Sequence, residues 1–262
     1  MEWAVANVRY WLVEHPTVRT FEWRSGRTWG ASPLFLATTL FAYVSITTTL
    51  RYFIVKSTAQ NPSTSPNTSP PSVLRIISAV LRIISAVHSL LLVLISLTMA
   101  LGCALSTITQ APDVRWIFCF PANHTPPRGP VFFWAYVFYL SKILEFGDTA
   151  LILLSNSIRR LTFLHVYHHT VVLIMCYVWL EAAQSLVPVA LVTNAAVHVV
   201  MYLYYAVCAL GAAAVEEGRH GFADWAVCVQ LFSVGGDALD AFSRWWWSYG
   251  QSKRRGLKGK DE

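Results

Sequence analysis

Three histidines are the first residues with the means to do chemistry. His165, His168 and His169 lie within LTFLHVYHHT at residues 161–170, and the run continues TVVLIMCYVWL. Their i, i+3, i+4 spacing puts all three rings on one helix face. The surrounding residues are as apolar as a membrane span. Ionisable rings are costly there, so a function is the default reading. A buried cluster that only pins helices together would suit one histidine better than three.

Two neighbouring segments carry matching polar stripes. Lys142, Glu145, Asp148 and Thr149 follow i, i+3, i+6, i+7 and share a face. The Lys142–Glu145 pair can neutralise itself inside a span. Asn194, His198, Met201, Tyr202 and Tyr205 form a third stripe. Consecutive apolar helices that each present one polar face predict a shared chamber. Interhelical hydrogen bonding is the competing explanation, and it suits Asn194 taken alone.

The elements that position these stripes are membrane helices. Of 262 residues, 55% are hydrophobic and only 13% charged, against about 25% charged in a soluble domain. Eleven Trp and eleven Tyr suit interfacial belts. The expected fold is an all-α polytopic membrane protein with one domain at residues 33–250. A surface segment at residues 1–32 precedes it, charged and Trp-rich and unlike a cleaved signal peptide. A basic tail at residues 251–262 follows it. The net charge of +6 concentrates in that tail, at Lys253, Arg254, Arg255, Lys258 and Lys260, and is no nucleic-acid signal. Five cysteines without CxxC pairing make neither a metal site nor a disulfide framework.

Spans are expected at residues 33–55, 83–105, 131–154, 161–180 and 185–210. A sixth lies within 222–249, where Gly235, Gly236, Asp237 and Asp240 interrupt the apolar run. Residues 56–72, rich in Ser, Thr and Pro, read as a disordered loop. The heptad VLRIISA occurs twice, at 73–79 and 80–86. Seven residues are nearly two helical turns, so the copy keeps its register and lengthens the start of the second span.

SKILEFGDT, HVYHH and NAAVHVVMYLYY resemble the blocks KxxExxDT, HxxHH and HxxMYxYY of the ELO family of fatty acid elongases. They come in that family's order and spacing, and the resemblance runs from about residue 33 to 230. A fourth block, TxxQxxQ, is partly matched. Gln230 fits, while Val227 and Ser233 stand where Thr and Gln are expected. Against the six spans counted from the residues, the resemblance implies seven transmembrane helices, six of them enclosing an acyl-chain tunnel, in the endoplasmic reticulum membrane, so a bundle of six to seven is expected. It also implies condensation of a long-chain acyl-CoA with malonyl-CoA to a 3-ketoacyl-CoA, carbon dioxide and CoA. No metal or redox cofactor comes with it. Membrane lipid is the surroundings. Other enzymes of the elongation cycle and a homodimer are open as protein partners, and nucleic acid is not one.

Within that chemistry His168 is expected to take the acyl group, because imidazole can be a nucleophile and dry surroundings protect an acyl-imidazole. His198 would act as base, oxyanion donor or second acyl contact. His165 and His169 would orient the site, and Glu145 and Asp148 would fix histidine tautomers. Lys142, Asn194, Tyr202, Tyr205 and Gln230 are the expected substrate contacts. Cys176, seven residues beyond His169, is a rival nucleophile. A di-iron lipid desaturase needs several histidine boxes; only one is present, and His15, His88, His124 and His220 stand singly. An inactive elongase-like scaffold is the non-enzymatic alternative. Lys258 and Lys260 look like a retrieval signal read in the cytosol. The resemblance places the N-terminus and the Asn123 sequon in the lumen, and the Asn67 sequon in the cytosol.

Overall fold

A computed structural model describes residues 2–60, 72–113, 116–117 and 125–211. The chain is mostly helical, and among the described residues the only strand-like feature is one bridge between Glu22 and Arg128. Helices α1 (Glu2–Arg9) and α2 (Pro16–Arg19) precede the long elements. These are α3 (Pro33–Gln60), α4 (Ser72–Gln110), α5 (Pro130–Leu144), α6 (Phe146–Leu154), α7 (Phe163–Glu181) and α8 (Val187–Ala209). Four of them, α3, α4, α7 and α8, are long and apolar enough to cross a membrane. This is a polytopic membrane protein. The outward faces of α3 and α4 are paved with exposed Leu, Ile, Val and Phe, a surface that belongs against lipid.

The duplicated heptad is part of one continuous helix. Helix α4 has 39 residues and is about 58 Å long, against a hydrocarbon core of roughly 30 Å. It is longer than one upright crossing of that core requires. Helix α4 packs most extensively on α8, and α5 fills the angle between α4 and α7. At that crossing the Trp134 indole leaves no room for a side chain at Gly102.

Two expectations are corrected. The single span at 131–154 is broken at Glu145, where Asp148 N–H bonds back only three residues, to Glu145 O at 3.0 Å. The tightened turn separates Pro130–Leu144 from Phe146–Leu154, and the polar stripe runs across it. The N-terminal segment is also more than a surface element. Val13, Val18, Trp23 and Ala31 are buried, and α5 and α7 donate to its backbone. Trp134 Nε1 reaches Leu12 O at 2.9 Å, Tyr139 Oη reaches Gly30 O at 3.0 Å, and Tyr177 Oη reaches Ala31 O at 3.3 Å. Buried Trp and Tyr need such acceptors, and the strap supplies them. Most of the loop at 56–72, the sixth span, the tail and both sequons lie outside the described residues.

Candidate active site

Helix α7 starts where Thr162 caps it, its Oγ1 accepting from His165 N–H at 3.1 Å. That start fixes the rotation of the next two turns, and with it the three histidines. Their rings lie together: the centroids of His165 and His169 are 4.6 Å apart, and those of His168 and His169 5.5 Å. All three line one cavity of about 530 Å³ with Asp148, His198, Met201, Tyr202 and Tyr205. The stripes of α6, α7 and α8 do converge.

The cavity has a buried end and an exposed end. Ser89, Ile152, His168, His169, His198, Met201 and Tyr202 are buried. Leu74, Ser78, Arg82, Asn156, Arg159 and Gly211 are exposed. From Arg82 to Ser89 is about 10 Å along α4, and from Gly211 to His198 about 20 Å along α8. Arg82, Arg159 and Arg160 stand at the exposed end, the Arg160 guanidinium 5.6 Å from the centre of the Tyr205 ring.

Behind the cavity wall is a buried charge cluster. Lys142 Nζ donates to Glu145 Oε1 at 2.7 Å and to Asn194 Oδ1 at 3.2 Å, and lies 4.3 Å from the centre of the Phe138 ring. Glu145 Oε2 faces His198 Nε2 at 3.4 Å. His198 Nδ1 is 2.8 Å from Asn194 O. A carbonyl can only accept, so Nδ1 carries a proton. Both ring nitrogens of His198 thus face protein groups. Lys142, Glu145 and Asn194 do not line the cavity. Lys142 and Asn194, the expected substrate contacts, are placed in this buried cluster, with the lysine against the Glu145 carboxylate and the Asn194 side chain.

Past the break the stripe meets other partners. Asp148 Oδ2 accepts from Tyr202 Oη at 2.6 Å, and its Oδ1 lies 3.2 Å from His88 Nε2. The one proton of Tyr202 is thereby committed to Asp148, so the expected donation to a thioester is not available from this geometry. Thr149 Oγ1 sits between Tyr43 Oη at 3.1 Å and His165 Nε2 at 2.9 Å. Asp148 does not reach a cavity histidine as a tautomer partner; Thr149 does, at His165. The Nδ1 of His168 is buried and has no hydrogen-bond partner among the described residues.

Cys176 lies in the apolar cluster shared with α5 and does not line the cavity. The expected contact Gln230 falls outside the described residues. Sequence reading missed His88, Tyr43 and the three arginines. A signal for the α4 wall was present: Ser78, Arg82, Ser85 and Ser89 recur at i, i+4, i+7, i+11, a fourth polar stripe, and all four line the cavity.

The family model described as ELO: GNS1/SUR4 family matches residues 28–242. An Arabidopsis thaliana protein named Fatty acid elongase 3-like is 28% identical over 213 residues, covering 76% of this chain and 68% of its own length. Very long chain fatty acid elongase 7 of Rattus norvegicus is 43% identical over 82 residues, 30% of this chain and 28% of the relative. Fatty acid elongase 2 of Trypanosoma brucei brucei is 46% identical over 82 residues, 31% of this chain and 30% of the relative. With two histidine-bearing stripes and the Asp148 stripe meeting in one chamber and a family match over most of its length, the chain belongs to the ELO (GNS1/SUR4) family.

Proposed function

We propose that this protein condenses a long-chain acyl-CoA with malonyl-CoA, with His168 as the acyl acceptor. Family membership and relatives named as fatty acid elongases support a role in fatty acid elongation. The observation that carries the finer reading is His168 on the wall of the cavity with a buried ring nitrogen, Nδ1, that no protein group engages among the described residues. A buried ring nitrogen without a partner is costly, and a reacting carbonyl beside it would account for the cost.

In the first half-reaction a His168 nitrogen attacks the thioester carbonyl. The carbon–sulfur bond breaks, CoA leaves, and its sulfur takes the proton the ring gives up. The acyl group is then held on imidazole in a dry pocket, where hydrolysis is suppressed. In the second, malonyl-CoA loses its carboxylate as carbon dioxide. The electron pair left on carbon attacks the acyl carbonyl, the carbon–nitrogen bond breaks, and the departing imidazolate takes up one proton from water, so that imidazole is regenerated with 3-ketoacyl-CoA as product. His169 and His198 border the same space; both His198 nitrogens are engaged by Asn194 and Glu145, so the ring N–H that can stabilise the oxyanion is that of His169. Arg82, Arg159 and Arg160 suit the phosphates of CoA at the exposed end. The cytosolic side of the endoplasmic reticulum is the setting that fits a soluble CoA thioester and a membrane-borne acyl chain.

The test is radiolabelled malonyl-CoA supplied with a series of acyl-CoAs to microsomes expressing the chain. Labelled 3-ketoacyl product in the wild type, and none with His168→Ala at equal protein level, is the expected result. Full incorporation by His168→Ala would overturn the assignment. No incorporation by the wild type with any acyl-CoA would favour a scaffold.

A further inference from the structure

Asp148 is hydrogen-bonded on one side and approached by an imidazole on the other. Its Oδ2 takes the proton of Tyr202 from α8, and its Oδ1 faces His88 Nε2 from α4 at 3.2 Å. The approach of α4 depends on Gly147: a Cβ there would come within 2.8 Å of His88 Cε1 and 3.1 Å of His88 Nε2. The bare backbone at 147 is what lets the imidazole lie against α6 and reach the next residue. His88 itself interrupts an otherwise apolar stretch of α4, where an ionisable ring needs a partner. Within the described structure that partner is Asp148.

Asp148 lines the cavity and His88 does not. A carboxylate hydrogen-bonded at one oxygen can still pivot about its Cβ–Cγ bond; an imidazole packed 3.2 Å from the other oxygen, on a different helix, narrows that pivot. The orientation it then imposes passes to Tyr202, which is fully buried and stacks on His198 with ring centroids 5.4 Å apart. The line runs from α4 through α6 to the cavity face of α8.

We infer that His88 is a positioning residue. It holds Asp148, and through Asp148 the Tyr202 ring that borders His198, in the geometry that turnover uses. This rests on the condensation reading for its kinetic readout and on geometry for its other readout. Helix gluing alone would make activity follow the amount of folded protein. Positioning makes kcat fall while folding and substrate affinity persist.

The experiment uses the full chain. His88→Phe keeps the ring and removes the donor. His88→Gln restores an N–H at similar reach and does not titrate. For His88→Phe, kcat per folded molecule is expected to fall about 10- to 100-fold. KM for acyl-CoA stays within about threefold, and His88→Gln recovers most of the loss. In a double-mutant cycle with Asp148→Asn the two losses do not multiply. Gly147→Ala displaces the ring without altering it and serves where His88→Phe does not accumulate; the same fall in kcat is expected. Wild-type kcat in His88→Phe or Gly147→Ala, failure of His88→Gln to recover activity, or multiplicative losses would each overturn the inference. A readout free of turnover separates this from the condensation reading. In a cryo-EM map of His88→Phe the Asp148 carboxylate should rotate away from the Tyr202 hydroxyl. An unchanged 2.6 Å contact would count against positioning even if no substrate is ever turned over.

Discussion

Lys142 carries a positive charge at 1% exposure, and its replacement by methionine shows what the buried cluster is for. Met has a similar length and is at ease beside Phe138, so packing changes little. The electrostatics change greatly. At 2.7 Å and an effective dielectric of ~20, the Lys142–Glu145 attraction is about 6 kcal/mol before desolvation. Removing one partner of a buried pair leaves a charge without compensation and costs about 3–5 kcal/mol. In a chain of this size that lowers the melting temperature by about 10 °C or more. The assay is thermal unfolding of detergent-purified protein followed by size-exclusion chromatography. The double variant K142M/E145Q removes both charges and should recover at least half of the loss, because the penalty lies in the orphaned carboxylate. Turnover should fall in both variants, since Glu145 and Asn194 orient His198. A K142M melting temperature within about 2 °C of wild type would refute the buried-pair argument. So would a double variant no better than the single.

Other outcomes follow from the same geometry. Cys176→Ala should retain turnover within about twofold and lose only ~1 kcal/mol of stability, because the thiol lies in the α5–α7 core; loss of turnover at full expression would restore it as a nucleophile. Reversing Arg82, Arg159 and Arg160 to Glu together should raise KM for CoA thioesters about tenfold, with a penalty that shrinks as salt rises. The same variant should treat acyl-pantetheine, which lacks the nucleotide, like the wild type; an equal KM increase for both would remove the phosphate role. Thr149→Val cuts the contacts to Tyr43 and His165 at once and should cost about 1–3 kcal/mol of stability, measurable by the same melting assay; an unchanged melting temperature would show those contacts to be idle.

The parts of this site that could be read from sequence are those set by helical period. His165, His168 and His169 share a face because of their spacing, and His198 and Tyr202 share theirs, so a common chamber followed from periodicity alone. Partner choice was not legible in the same way. Lys142, Glu145, Asp148 and Thr149 look like one stripe, yet the first pair meets Asn194 and His198 and the second His88, Tyr202, Tyr43 and His165. Nothing in the spacing announces that split. His88 looked solitary because its partner is 60 positions away on another helix. The strap at residues 10–31 was read as a surface segment because its anchors are backbone carbonyls, which carry no sequence signature. The resemblance to ELO blocks reached the same residues by another route, and the family match bears it out.

The central claim is that His168 carries the acyl group, and it can be tested without completing the reaction. Purified wild-type protein is incubated with radiolabelled acyl-CoA and no malonyl-CoA, then quenched, digested and mapped by mass spectrometry. The account predicts one acyl group on the peptide that contains His168, discharged when malonyl-CoA is added before the quench. Label on Cys176, or an adduct that malonyl-CoA does not discharge, would contradict it.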